Sequence, residues 1–317
     1  QNIHDFRYMN SLAGNQIFAV KNHISTFLMN VYQYRFLNEE NKPVLLTVME
    51  SYPSEAAFSN YLMGDNLSIS DETELDVVEN ELAVYEVLHG TQLRDQNYNL
   101  ITQSRSELKK IRDFSGQNPN IHIFSVPHLN TDISQVFYTE LIDKEKKKSD
   151  QRKNKLFPGE LAGLQKVELS QPEDPLVFND DALLISDIII GYDKKEENGE
   201  NGDKIKLPFT ISNDRKLPQN GNIVLYFELY NLMISGNGFS NFDLNYELIK
   251  KNFIGKSTVS SGNIEFEHDA GNFSESIEIE SEKFNPGNYI MELEFVDKNR
   301  NYSINRTIEF EVLEEKE

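Results

Sequence analysis

Cysteine and tryptophan are both missing from this chain. Without cysteine there are no disulfides, no thiolate metal ligands and no cysteine nucleophile. The compartment stays open, because many exported bacterial proteins also lack cysteine. The missing tryptophan removes the ring that most often stacks on sugars, which weighs against carbohydrate handling. Long apolar runs are missing too, and no window approaches the ~20 residues that a membrane helix needs. The opening Gln1-Asn2-Ile3-His4 has no basic stretch leading into an apolar one. The expectation is a removed targeting segment or excision from a longer protein.

Positive charge is scarce. Lys and Arg total 31 against 52 Asp and Glu, a formal net charge of −21. The excess is uneven: residues 173–317 hold 29 acidic and 14 basic side chains, a net −15, and the first 172 carry −6. Such a surface repels phosphate backbones, so neither nucleic acid nor an anionic membrane is expected as a partner. Solubility of an exported protein is the simpler use of that charge. The sequons at Asn66, Asn272 and Asn305 matter only in a eukaryotic secretory route, and the wealth of Asn, Ile and Lys points instead to a bacterium.

What the chain does have is alternation. Ile264–Glu267, Ile277–Glu280, Met291–Phe295 and Ile308–Val312 place Ile, Phe, Met and Val on one face and Glu on the other. That period of two predicts half-buried strands, with like-charged Glu faces at sheet edges or staggered against Lys and Arg. Leu183–Ile190 is apolar on both faces and predicts a central strand. Lys206–Ile211 predicts a short one whose Pro208 favours an edge. Ile223–Asn231 and Leu244–Ile249 add two more. Turn residues fall between them, as in Asn220-Gly221 and Asn285-Pro286-Gly287. Seven or eight short strands so spaced predict a sandwich.

The first half predicts a hairpin from Phe27–Leu37 and Val44–Met49 around Asn38–Lys42. Further strands are expected at Leu82–Leu88, ended by Gly90, at Asn120–Val126 and at Val136–Ile142. Residues 100–114 are open between a helix and a strand with a turn. Residues 144–155 are charged and free of apolar side chains, an exposed loop. The predicted fold is mainly β, with two tandem β-sandwich-like domains at 1–172 and 173–317. The second is expected to be an Ig-like antiparallel sandwich. The boundary falls in Gln171-Pro-Glu-Asp-Pro175.

The second half resembles the C-terminal β region of the bacterial GWxTD-domain proteins. The resemblance rests on Leu184–Ile189, Leu225–Leu232, Phe284–Tyr289, Phe295–Asp297 and Phe310–Val312, with weaker echoes at Phe157–Leu161 and Phe36–Glu40. The naming motif needs tryptophan and is absent. The resemblance implies an exported bacterial protein, and it brings neither chemistry nor site residues.

Catalytic patterns are few. There is no Gly-x-Ser-x-Gly elbow, and Gly255-Lys256-Ser257 lacks the preceding glycine of a phosphate loop, because Lys250 stands there. It reads as a loop. His122 and His128, six residues apart along an extended strand, lie ~20 Å apart unless Pro127 turns the chain, too far to share an ion. Asp187 stands among Leu183, Ile185 and Ile189. An unpaired carboxylate there is costly, so it either serves as a ligand or accepts backbone hydrogen bonds, and the second reading is favoured. Asp193, Glu197 and Asp203 lie in an oxygen-rich loop that calcium could use, although Lys194 and Lys195 interrupt it. No cofactor is expected.

These features point away from an enzyme. The leading expectation is a non-catalytic, extracytoplasmic module for protein binding or envelope scaffolding, with a protein partner. The alternative is a carbohydrate-binding or glycoside-hydrolase accessory protein, for which Tyr226, Tyr230, Tyr246 and Tyr289 are candidates, although all four also suit core packing.

Overall fold

A computed structural model describes residues 26–54, 85–111, 119–129, 133–143, 160–179, 181–193, 207–252, 255–279 and 284–314. The charged loop at 144–155, and Glu197 and Asp203 of the oxygen-rich loop, lie outside them. The described residues carry eighteen strands. The fold is β throughout these strands and divides into two compact units. One draws on the described residues of Gln1–Tyr32, Thr47–Phe124 and Leu129–Glu173. The other takes Gln33–Leu46, Ser125–His128 and Asp174–Glu317.

In the first unit, β3 (Tyr85–Arg94) and β7 (Ser134–Asp143) are central to a sheet ordered β4-β3-β7-β8. Here β4 is Leu100–Arg105 and β8 is Glu160–Ser170, with β5 (Lys109–Lys110) also paired to β3. The open segment at 100–114 therefore contains two strands. Strand β3 does not stop at Gly90, as its sequence suggested, but runs four residues further. Gly90 is paired with Tyr138 of β7, and a Cβ at Gly90 would overlap the Tyr138 ring. The glycine makes room for a ring and does not end a strand.

A second sheet is ordered β1-β2-β6, from Leu28–Leu37, Pro43–Tyr52 and Asn120–Pro127. Asn38–Lys42 closes the β1–β2 hairpin, with Asn41 at φ 56° and Asn38 N–H donating to Lys42 O at 2.9 Å. Within the first unit, the near ends of these strands face β3 and β7. Thr139 Oγ1 lies 3.1 Å from Met29 Sδ, and Ser51 Oγ lies 2.9 Å from His89 Nε2.

The second unit is a two-layered sandwich. One layer is β11-β10-β13-β16, from Thr210–Ile211, Ile189–Tyr192, Ile223–Tyr230 and Phe273–Ile279, with β9 (Leu184–Ile185) also on β13. The other is β12-β18-β17-β14-β15, from Lys216–Leu217, Tyr302–Val312, Gly287–Asp297, Ser240–Asn252 and Gly255–His268. Rings lock the layers together. Phe227 of β13 meets Phe295 of β17 edge-on at 4.7 Å, and Phe273 of β16 meets Phe242 of β14 likewise at 4.7 Å. Burying each such side chain contributes about 1.5–3 kcal/mol, so this aromatic seam is a main source of stability. Pairing is antiparallel except between β12 and β18, which run parallel.

Three details differ from the sequence reading. Leu183–Ile190 is not one strand; it breaks between β9 and β10 at Ser186–Ile188, where the Asp187 N–H turns to Arg35 O and the Ser186 hydroxyl accepts from the Glu228 N–H. Strand β11 starts only at Thr210, after Pro208. Gly255-Lys256-Ser257 is no loop: it opens β15, opposite Asn252, Lys251 and Lys250 of β14. The acidic faces, expected at edges or staggered against Lys and Arg, occur on interior strands both without and with such a cation. Glu247 stands directly across from Glu292 on the two central strands. Asp243 stands across from Glu265, and there Lys298 reaches both, at 2.6 and 3.5 Å.

Candidate functional site

Alternation along β13 sends Leu225, Phe227 and Leu229 into the core, all fully buried. It sends Tyr226, Glu228 and Tyr230 to the opposite face, with the glutamate between two phenols. Both phenols turn toward it. Tyr226 O–H donates to Glu228 Oε1 and Tyr230 O–H to Glu228 Oε2, each at 2.6 Å. Ser274, the residue opposite Glu228 on β16, places Oγ 3.1 Å from the Tyr226 hydroxyl. The Glu228 backbone N–H donates to Ser186 Oγ at 2.9 Å, which ties down the main chain beneath the carboxylate.

The hairpin of the same unit closes over this face. Leu37 N–H donates to the Tyr230 hydroxyl at 2.9 Å, and the Phe36 ring stacks on Tyr226 at 5.8 Å. Burial raises the Tyr226 and Tyr230 phenols well above the ordinary tyrosine value, and the Glu228 charge raises them further. Both therefore stay protonated and keep donating. The result is a cleft of about 560 Å³, rimmed by Asn38, Glu39, Glu40 and Asn272 and floored by the Tyr–Glu–Tyr row. Among its described lining residues are three carboxylates and no Lys, Arg or His. Glu40 is paired with Lys42 Nζ at 2.5 Å, which leaves Glu39 and Glu228 as the carboxylates that favour cations and hydrogen-bond donors.

The residues singled out in the sequence lie elsewhere. Asp187 sits at the break between β9 and β10. Its carboxylate accepts from Arg35 N–H at 2.8 Å, Nε at 3.0 Å and Nη2 at 2.7 Å, and its own N–H donates to Arg35 O at 3.0 Å. The hydrogen bond to Asp187 raises the Arg35 pKa, with the carboxylate's charge adding to it. Asp193 is exposed with φ 51°, one residue past β10. Among the described residues no group of three or more His, Asp or Glu is placed to hold a metal ion.

His122 lies in the first unit and His128 in the second. The structure pairs His122 with His89 instead, rings parallel at 7° and 5.6 Å apart. His89 is buried, and desolvation, reinforced by His122 and Lys109, lowers its pKa to about 3. Of the tyrosines, Tyr289 is in the core and Tyr246 is half-buried, its ring filling the space left by Gly262.

Sequence reasoning passed over Glu228. The signal was present in the Tyr-x-Glu-x-Tyr spacing on one strand face.

No protein-family model matches the sequence, and no curated protein matches it. Among solved structures, it is similar to a Bacteroides uniformis β-glucuronidase, at 9% identity and a TM-score of 0.25. That match covers 84% of this chain and 26% of the other. A calcium-binding mutant of B. uniformis β-glucuronidase 2 gives 8% identity and a TM-score of 0.26, over 87% and 28%. The chain thus spans about a quarter of the length of these structures, and likeness at this level carries no argument about activity. No described helix is long and apolar enough to cross a membrane.

Proposed function

We propose that this chain is a non-catalytic binding module, exported by a bacterium and related to the GWxTD-domain proteins, whose Ig-like second unit recognises a protein partner. One observation carries the reading: a carboxylate fixed on both oxygens by phenols, in a cleft whose described lining has three acids and no base. A carboxylate held this way is a preorganised acceptor, suited to binding more than to proton shuttling. The ligand that complements it is a Lys or Arg side chain, with the half-buried Tyr226 ring available to its stem and charge.

The alternative, a carbohydrate ligand, is favoured by the same ring with Asn38, Asn272 and Ser274 around it. Paired arrays separate the two. On the protein-partner reading, Lys- and Arg-containing peptides bind with an affinity that falls as salt rises, and a glycan array stays blank. Retention of neutral glycans with indifference to basic peptides sinks the protein-partner reading.

A further inference from the structure

Within the second unit, the sheet edges differ greatly in length. Strands β11 and β12 have two residues each and β16 has seven, whereas β15 has fourteen. Strand β15 ends its sheet, and among the described residues nothing pairs with its outer side. Natural sheets blunt such edges by shortening, bulging or covering them, because a row of open N–H and C=O groups is a template for another strand. Here the irregularity opposite Leu248 and Ile249 protects only the Val259 end. From Ser260 to His268 the ladder is regular.

Over that regular stretch the two faces of β15 are distinct. Ile264 and Phe266 point inward and are only partly covered, at the open side of the aromatic seam. Ser261, Asn263, Glu265 and Glu267 point outward and are exposed, and Asp243 and Glu247 of β14 lie beside them on that face. An added strand would complete the cover of Ile264 and Phe266 with its inward side chains. Its outward side chains would stand beside carboxylates, of which Asp243 and Glu265 share the one ammonium of Lys298.

We infer that the outer edge of β15 between Ser260 and His268 receives an extended segment of a partner protein, apolar on one face and Lys- or Arg-bearing on the other, as an added strand. A second copy of the chain is the poorer occupant, because it brings another −21 against the same acidic face. The inference goes beyond the protein-partner reading: it stands on the β15 edge and not on the Glu228 cleft.

The test uses the intact protein and a fluorescein-labelled heptapeptide, Lys-Val-Lys-Val-Lys-Val-Lys, read by anisotropy and by hydrogen exchange. The controls are the same peptide with alternate backbone N-methylation, and the protein variants Glu265→Lys/Glu267→Lys and Glu228→Gln. The inference predicts saturable binding, new protection of β15 amides, at least tenfold loss on N-methylation and at least tenfold loss in the double variant. Because the Glu228 cleft also takes Lys side chains on the proposed function, total anisotropy falls in Glu228→Gln, and the edge is read there from the β15 protection alone, which should persist.

Equal binding of the methylated peptide, or protection absent from β15, overturns the inference. Loss of the β15 protection in Glu228→Gln, with Glu265→Lys/Glu267→Lys binding as the wild type does, would assign the peptide to the cleft, overturning the edge while leaving the protein-partner reading intact. Sedimentation of the free protein as a dimer with β15 already protected replaces the partner with a second copy.

Discussion

Acidification should weaken the first unit through His89. Its ring is buried, bonded at Nε2 to Ser51 and stacked on His122, and its pKa is lowered from 6.5 to about 3. Above pH 6.5 the ring is neutral in both the folded and unfolded chain and contributes no pH dependence. Between pH 6.5 and 3 the unfolded chain takes up a proton that the folded chain refuses, so stability falls as pH falls. From pH 7 to pH 5 the loss comes to about 2 kcal/mol. Carboxylates also titrate as the pH drops, so the quantity to measure is a difference. Urea unfolding at pH 7 and pH 5, followed by tyrosine fluorescence and circular dichroism, is compared between the wild type and His89→Gln. The wild type should lose about 2 kcal/mol more than the variant over that interval. Equal losses in the two proteins would refute the claim that His89 is held neutral by burial.

Four further outcomes follow from the packing and the hydrogen bonds. Asp187→Ala removes a carboxylate that takes three hydrogen bonds from Arg35. Because the pair is partly exposed, the melt of the second unit should show a loss of about 1–2 kcal/mol. Gly90→Ala should cost about 1–3 kcal/mol by overpacking against Tyr138, and its added cost should shrink in a Tyr138→Ala background, which is itself destabilised. Gly191→Ala meets the Thr210 backbone oxygen as well as the Phe209 ring, so no side-chain substitution should fully rescue it. In a spectrophotometric alkaline titration, Tyr226 and Tyr230 should ionise later than a free phenol at about 10. Glu228→Gln should bring them earlier, since the Glu228 charge is part of what raises them.

The strands were legible because period-two alternation is a local pattern and the sandwich needs it. Leu225, Phe227 and Leu229 entered the core as their spacing required. Where the sequence misled, a tertiary partner decided the outcome. Gly90 reads as a stop until Tyr138 is seen opposite it, and Leu183–Ile190 reads as one strand until Arg35 claims Asp187, more than 150 residues away. The cleft was the least legible feature. Glu228 looked like one of many solvent-facing glutamates, and only the hairpin at Phe36 and Leu37, distant in sequence, turns the Tyr–Glu–Tyr row into a concave site. The His89–His122 stack was hidden for the same reason.

Titration of the protein with Nα-acetyl-arginine methylamide, followed at the ring resonances of Tyr226 and Tyr230, bears most directly on the claim that the Glu228 cleft reads a basic side chain. Saturable shifts at both rings, at least tenfold weaker in Glu228→Gln and diminished by salt, are the predicted result. Rings unmoved by the guanidinium but shifted by a neutral disaccharide would contradict it.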